Sequence, residues 1–177
     1  MRTINNSFLF IMACLLLMGC PSEEKTSSTE ETPVQEKSNK KVTAKDIAAI
    51  RYTDYALSDT AEEVTRDWLK FHELSKEIEL LKEGDLSFFK DDITLLNGFL
   101  NDMIAEIPER LDEPSIAVRM IALKTTIFKL EGSANLERES KEALLNSIKD
   151  VLIAHTNLVF QINKKLEKDA QNITKPQ

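Results

Sequence analysis

The sequence predicts an all-α protein whose body is an antiparallel up-down-up-down four-helix bundle. Apolar residues after residue 42 recur in steps of three and four, which is the spacing of one face of an α-helix. Only three glycines and three prolines follow residue 42, and most of them lie between the periodic stretches. The sequence shows no alternation of apolar and polar residues that would indicate β-strands. Four periodic stretches joined by short connections therefore favour a single helical bundle.

Residues 1–41 differ in composition from this body. Arg2 is the only charged residue before a run of eleven apolar residues from Phe8 to Met18. This run is too short to cross a bilayer core of about 30 Å as a helix. A positive start, a short apolar run and a small residue at its end are typical of a secretory signal peptide. We therefore expect residues 1–19 to be removed from the mature protein.

The apolar run ends in Leu17-Met18-Gly19-Cys20, which resembles the lipobox of bacterial lipoproteins. The resemblance implies that Cys20 becomes the first residue of the mature protein and is acylated, for example with palmitate. Two or more acyl chains give stable membrane anchoring. The residues Ser22-Glu23-Glu24 resemble the acidic surface-export signal of Bacteroidetes-type lipoproteins. As a whole the chain resembles small envelope lipoproteins of such bacteria. No aspartate directly follows Cys20, so the usual inner-membrane retention signal is absent, and we expect an outer-membrane location on the periplasmic face or the cell surface.

Residues 20–41, from the lipidated cysteine onward, are predicted to form a disordered acidic tether. Between Pro21 and Lys41 the only apolar side chain other than proline is Val34. Such a segment buries too little surface to offset the entropy that is lost on ordering. About 20 flexible residues reach a mean distance of roughly 25 Å, so the tether lets the body stand away from the membrane.

Residues 42–57 allow two interpretations. Thr43 and Asp46 have the spacing of a capping box, which starts a short helix. Residues 50–55 suit an extended lead-in that lies over the body equally well. We favour a short helix followed by a break, and we place the bundle at residues 58–170 and a frayed polar tail at residues 171–177.

The first predicted helix of the bundle begins near Asp59 or Thr60, has a capping box at Thr60 and Glu63, and ends before Gly84. Acidic residues in its first turn are favourable to the helix dipole. Its apolar stripe consists of Leu57, Ala61, Val64, Trp68, Phe71, Leu74, Ile78 and Leu81.

The second predicted helix begins near Ser87 and ends before Pro108, because proline lacks the backbone N–H that a continuing helix needs. Gly98 is the one glycine inside it and costs about 1 kcal/mol relative to alanine. Its apolar seam consists of Phe89, Ile93, Leu96, Leu100, Met103 and Ile107.

The third predicted helix opens at Pro114, a residue favoured in the first turn, and closes at Gly132. Its seam consists of Ile116, Met120, Leu123, Ile127 and Leu130. The fourth runs from about Arg138 to Lys168, with basic residues near its C-terminus, where the helix dipole favours them. Its stripe consists of Leu145, Ile148, Leu152, His155, Val159, Ile162 and Leu166.

Composition and charge exclude several classes of function. The chain has 23 basic and 30 acidic residues and a net charge of −7, so we expect no nucleic-acid-binding surface. Cys14 leaves with the signal peptide and Cys20 carries lipid, which leaves no thiol for disulfides, catalysis or metal binding. No glycine-rich phosphate loop and no nucleophile with a neighbouring base is visible. We therefore predict that the protein is not an enzyme.

The two histidines of the body permit two interpretations. His155 interrupts the apolar stripe of the fourth helix, and His72 lies on the flank of the first. Two imidazoles at similar height on neighbouring helices would suit a haem or a metal ion. Neither belongs to a Cys-x-x-Cys-His or Glu-x-x-His motif, so we predict no metal site. We expect a hydrogen-bonded core histidine and a surface histidine, and we keep haem or metal binding as the alternative.

Tyr52 and Tyr55 are candidates for a partner surface, because tyrosine is enriched at binding hot spots. With no catalytic motif in the body, the sequence predicts a lipid-anchored, non-enzymatic cell-envelope protein without a cofactor. We expect its helical bundle to bind a protein partner or a small ligand.

Overall fold

The structure is a computed structural model that describes residues 41–171. In this part of the chain it contains six α-helices, two short 3₁₀ turns and no β-strand, which confirms the predicted all-α class. The helices are α1 Ala44–Ala48, α2 Asp59–Thr65, α3 Leu69–Lys82, α4 Ile93–Ala105, α5 Pro114–Asn135 and α6 Lys141–Ala170. None of these described helices is both long enough and apolar enough to cross a membrane. The predicted signal peptide, Cys20, tether residues 21–40 and tail residues 172–177 lie outside the described residues.

The lead-in contains a short helix followed by a break, as favoured from the sequence. The hydroxyl of Thr43 accepts a hydrogen bond from the N–H of Asp46 at 3.4 Å, and the carboxylate of Asp46 accepts one from the N–H of Thr43 at 2.9 Å. This capping box starts α1. The Nζ atom of Lys141 lies 2.8 Å from the same carboxylate, so α1 is fixed to the first turn of α6. Residues 50–58 then form no regular secondary structure.

The first predicted helix is interrupted, because residues 66–68 separate α2 from α3. The capping box predicted at Thr60 and Glu63 is wrong. The cap is Ser58, whose hydroxyl accepts a hydrogen bond from the N–H of Ala61 at 3.3 Å. The helix therefore begins one residue before Thr60, which places that threonine inside the first turn.

Tertiary contacts compensate for the interruption. The indole N–H of Trp68 donates to the carbonyl of Met103 in α4 at 2.8 Å, and the indole ring stacks on Phe71 with centroids 4.8 Å apart. The carbonyl of Thr65 would accept from residue 69 in a continuous helix. It accepts instead from the imidazole of His72 and from the N–H of Trp68, each at 2.8 Å. At the break, Trp68 is therefore buried, and the carbonyl of Thr65 still accepts hydrogen bonds.

The second predicted helix begins later than expected. The N-cap of α4 is Asp92 rather than Ser87, and residues Phe88–Lys90 form a separate 3₁₀ turn. This turn buries Phe89 completely, and that burial competes with a longer helix. Ile93 is therefore the first residue of α4, where its side chain is 46% exposed rather than part of the seam.

The remaining two helices lie close to their predicted positions. Pro114 is in the first turn of α5 as expected, but α5 continues through Gly132 to Asn135, so the end predicted at Gly132 is wrong. A glycine ends a helix by adopting a positive φ, and among the described glycines only Gly84 does so, at 92°. Helix α6 begins after its cap at Ser140, slightly later than predicted.

Helices α5 and α6 pack against each other as an antiparallel pair. The Nζ atom of Lys165 lies 3.2 Å from the carboxylate of Glu113, and the hydroxyls of Ser133 and Ser147 are 2.9 Å apart. Residue numbers therefore fall along α6 as they rise along α5. The five predicted seam residues of α5 are all buried, and so are five of the seven predicted for α6: Ile148, Leu152, Val159, Ile162 and Leu166. The other two, Leu145 and His155, are only partly buried, and Leu144 is buried beside Leu145.

Alanine substitutions at Gly84 and Gly98 should change stability in opposite directions. A Cβ at Gly84 would lie 3.1 Å from the backbone nitrogen of Ala44 and would require the left-handed conformation, whereas a Cβ at Gly98, inside α4, would meet nothing within 4 Å. We expect Gly84→Ala to lower the free energy of unfolding by about 1–2 kcal/mol and Gly98→Ala to raise it by about 0.5–1 kcal/mol. Urea unfolding of both variants beside the wild type measures this. Equal shifts of the same sign would show that the two glycines do not differ in backbone conformation.

Candidate functional site

A polar cluster lies between α3 and α6, around His155. The Nε2 atom of His155 is 3.1 Å from the hydroxyl oxygen of Ser75, and that hydroxyl donates its single proton to the carbonyl of Phe71 at 2.9 Å. The oxygen of Ser75 therefore accepts a hydrogen bond from the Nε2–H of His155. Burial and the nearby positive charge of Lys82 lower the pKa of His155 to about 4, so its imidazole is neutral at pH 7.

The pairing of Ser75 with His155 was missed by the sequence reasoning, because the two residues are 80 positions apart. A serine nucleophile must donate its proton to the histidine that acts as its base. Here the hydrogen bond runs in the opposite direction, and within residues 41–171 no hydrogen bond orients Nδ1 of the imidazole. The pair therefore links α3 to α6.

His72 is half-buried and lies close to the same cluster. Its Nε2–H donates to the carbonyl of Thr65 at 2.8 Å. The imidazoles of His72 and His155 both contact the ring of Phe71, with centroid distances of 5.4 and 6.2 Å. Both Nε2 atoms are therefore already used in hydrogen bonds within the chain. In the described part of the chain, no group of three or more His, Cys, Asp or Glu side chains is positioned to hold a metal ion.

Side chains of α6 form hydrogen bonds to the backbone of residues 50–58, which we call the strap. The N–H of Tyr55 donates to the hydroxyl of Thr156 at 2.9 Å. The side-chain amide of Asn163 accepts from the N–H of Ser58 at 2.9 Å and donates to the carbonyl of Ala56 at 2.8 Å. These bonds satisfy strap backbone groups that have no secondary-structure partner. The sequence reasoning did not identify Thr156 or Asn163, because their role depends on contacts more than 100 residues apart.

The strap places the two candidate tyrosines in different environments. Tyr52 is half-buried, and its hydroxyl lies 3.4 Å from the carboxylate of Asp54, which also pairs with Lys82 at 2.7 Å. Burial raises the pKa of Tyr52. The side chain of Tyr55 is 41% exposed, and its ring packs on Phe160 of α6 with centroids 4.9 Å apart. Of the two tyrosines, Tyr55 is therefore the one that faces outward beside a second aromatic ring.

An open groove of about 490 Å³ runs between α5 and α6 and ends at Phe160. Arg119 and Asp150 also line it, one from each helix. Its apolar lining consists of Val118, Ala122, Ile153, Ala154 and Phe160. Because Tyr55 packs on Phe160, the strap borders the groove at this end.

The outward side of α5 continues this apolar surface. The side chains of Val118 and Ile121 are 58% and 61% exposed. The hydroxyl of Thr125 donates to the carbonyl of Ile121 at 2.8 Å, so its polar group is satisfied within the helix. We call the exposed residues Ala117, Val118, Ile121, Ala122 and Thr125 the α5 face. A contiguous apolar surface of this kind marks a site of interaction more often than a single exposed side chain does.

These residues were visible in the sequence but were not selected. Val118 and Ile121 are apolar residues of the third predicted helix that do not belong to its seam. An apolar residue outside the seam either widens the buried stripe or lies exposed, and the sequence alone does not distinguish the two. They are exposed because α6 packs against the opposite side of α5.

The neutral imidazole of His155 should make stability depend on pH. Its pKa is about 4 in the folded protein and near 6.5 in the unfolded chain, so the unfolded chain binds more protons between these values. The contribution of His155 to the free energy of unfolding should be complete above the higher value and should be lost as the pH falls towards the lower one. The loss amounts to at most about 3 kcal/mol. Urea unfolding across this pH range should show the decline in the wild type and a shallower one in His155→Gln; identical slopes would contradict the assignment.

The comparisons with known proteins identify no relative, since no protein-family model, curated protein or solved structure matches this chain. The function must therefore be inferred from the residues themselves. Of the two candidate regions, the histidine cluster is linked internally by hydrogen bonds. The groove and the α5 face present exposed apolar surface.

Proposed function

We propose that this chain is a lipid-anchored, non-enzymatic cell-envelope protein whose helical body binds a protein partner or a small ligand. The lipobox ending at Cys20 supports the anchor, and the acidic residues that follow it support an outer-membrane location, on the periplasmic face or the cell surface. The observation that carries the binding role is the apolar α5 face, which lies exposed beside the groove between α5 and α6.

We further propose that the four longer helices, α3 to α6, have the up-down-up-down topology. Trp68, which directly precedes α3, contacts Met103 of α4, and Lys70 of α3 contacts Phe99 of α4. Residue numbers therefore fall along α4 as they rise along α3. The contacts between α5 and α6 are likewise antiparallel. Short connections between consecutive helices support this arrangement.

A protein partner fits the candidate surface better than a small ligand does. A volume of about 490 Å³ is within the range of small-molecule sites, but such sites enclose most of their ligand. This groove is open to the surface, and the apolar area extends beyond it to Ile121. Tyr55 and Phe160 add a pair of aromatic rings at its edge, which is typical of protein interfaces. We therefore include Tyr55, rather than the half-buried Tyr52, in the partner surface.

The absence of enzymatic activity and of a cofactor is part of the same proposal. The direction of the hydrogen bond between Ser75 and His155 supports the absence of a hydrolytic activity that would use Ser75 as the nucleophile. Haem or metal binding through His72 and His155 gains no support from the geometry, because the Nε2 atoms of both imidazoles are engaged within the chain.

Substitution of Cys20 tests the anchor. We expect Cys20→Ala to move the protein from the membrane fraction to the soluble fraction and to abolish incorporation of labelled palmitate, because the acyl chains have no other attachment point. Cys14→Ala is the matched control, since Cys14 lies in the predicted signal peptide. A Cys20→Ala protein that stays membrane-bound and labelled would refute lipid anchoring at this residue.

Substitution of Ile121 tests the binding surface. In-cell crosslinking of the tagged protein, followed by mass spectrometry, should recover one dominant envelope protein from the wild type. Ile121→Glu should abolish this capture, because the charge cannot be buried in an apolar interface. Leu69→Glu is the matched control, since Leu69 is a similarly exposed aliphatic residue on α3, at 71% exposure. Capture that is unchanged in Ile121→Glu, or lost equally in both variants, would exclude the α5 face as the partner surface.

A further inference from the structure

The α5 face and the groove also carry information about the kind of partner. We infer that the partner contacts them with an amphipathic α-helix whose apolar stripe is flanked by acidic side chains. This inference rests on the proposed function, because it names the chemistry of the partner for the same surface. The shape of the surface and the distribution of charge on α5 lead to it independently.

The small side chains of α5 favour a helix as the occupant. Ala117, Ala122 and Thr125 surround the two larger residues of the α5 face and allow a second helix to approach closely. Val118, Ala122 and Thr126 line the groove at four-residue intervals. Residues at this spacing form the ridges and grooves into which the side chains of a second helix fit.

The length of the surface also suits a helix. From Ala117 to Thr125 the α5 face extends over about 12 Å, given a rise of 1.5 Å per residue. Helices that bind in grooves use apolar anchors at positions i, i+3 or i+4, and i+7, which cover about the same distance. A partner segment of roughly three turns therefore covers the α5 face and reaches the ring of Phe160 at the end of the groove.

The charge of α5 is opposite to that of the whole protein. From Pro114 to Leu130 the chain contains no acidic residue, although its net charge is −7. The same stretch contains Arg119, Lys124 and Lys129. An acidic protein thus has a locally basic helix, and the basic side chains accompany its exposed apolar residues.

Among the residues that the structure describes, two of these three basic side chains have no acidic partner. Lys129 pairs with Asp150 across the groove at 2.7 Å. Lys124 donates to the neutral amide of Asn101 at 2.6 Å. Arg119 lines the groove, and within residues 41–171 its guanidinium makes no ion pair or hydrogen bond. A guanidinium in this position is suited to bind a carboxylate through two hydrogen bonds.

This distribution of charge disfavours the other possible occupants. A second copy that docked through the same face would bring Arg119 and Lys124 close to their own equivalents, and like charges destabilise an interface. A flat lipid surface would contact the exposed Val118 and Ile121 but would leave the groove unfilled. An acidic amphipathic helix fills the groove and also supplies the missing negative charge.

Site-specific photo-crosslinking tests the inference in the full-length protein. The photoreactive amino acid p-benzoylphenylalanine replaces Ile121 at the centre of the α5 face, or Glu62 on α2 as the control position. We expect Ile121, but not Glu62, to crosslink to a single peptide that has helical apolar spacing and aspartate or glutamate beside its stripe. The yield should fall by about tenfold or more in Arg119→Glu and Lys124→Glu, and should be largely retained in Arg119→Lys.

The possible outcomes separate the inference from the proposed function. A captured partner whose yield does not respond to either charge reversal, or whose crosslinked peptide is not acidic, overturns the inference and leaves the proposed function standing. Crosslinks to a second copy of the chain or to lipid overturn the inference in favour of those occupants. No crosslink at Ile121 overturns both. Arg119 and Lys124 are half-buried, and Lys124 also donates to Asn101, so the thermal unfolding of both reversal variants is compared with that of the wild type. A fall in crosslinking yield supports the inference only in a variant whose unfolding temperature is unchanged, and Arg119→Lys provides the second, conservative comparison.

Discussion

The apolar seam between α5 and α6 is the interaction on which the rest of the structure depends. Ile116, Leu123, Ile127 and Leu130 of α5 are fully buried in it, and burial of each such side chain contributes about 1.5–3 kcal/mol. The shorter elements share this buried core, since Ile47, Ala61 and Phe89 belong to it, and polar contacts also link them to α6. Lys141 forms an ion pair with Asp46 of α1, Asn163 forms hydrogen bonds to the strap, and His155 forms a hydrogen bond to Ser75 of α3. Each of these attachments uses a side chain of α6, so the position of α6 determines where the other elements lie.

The same constraint bears on the binding surface proposed for α5. Its inner residues are fixed by the seam, so its outer residues contribute little to the fold and are free to be selected for binding. Exposed positions on a helix normally carry polar residues, because apolar ones gain nothing from water. Val118 and Ile121 are both exposed and lie one turn apart on α5, and the proposed partner would cover them.

The sequence was informative where structure depends on local spacing. The seam of α5, most of the stripe of α6 and the capping box of α1 depend on residues within one or two turns, and these were predicted correctly. The interruption before Trp68 was not predicted, because it depends on a hydrogen bond to Met103 in another helix. The Ser75–His155 pair, the strap contacts of Asn163 and the exposure of Ile121 also depend on which helices become neighbours. These features make up most of the candidate site, so periodicity alone revealed the fold class but not the surface.

Native-state hydrogen exchange tests most directly whether the seam between α5 and α6 is the foundation of the fold. We expect the slowest amides to lie in Ile116–Leu130 and Leu144–Leu166 and to exchange only through global unfolding. Amides of α3 and α4 should exchange through smaller openings, and those of the strap should be the fastest of the three groups. If amides of α3 or α4 proved the slowest while α5 exchanged through local opening, the seam would not be the element that holds the others, and the exposed α5 face would be part of a mobile helix rather than a fixed binding surface.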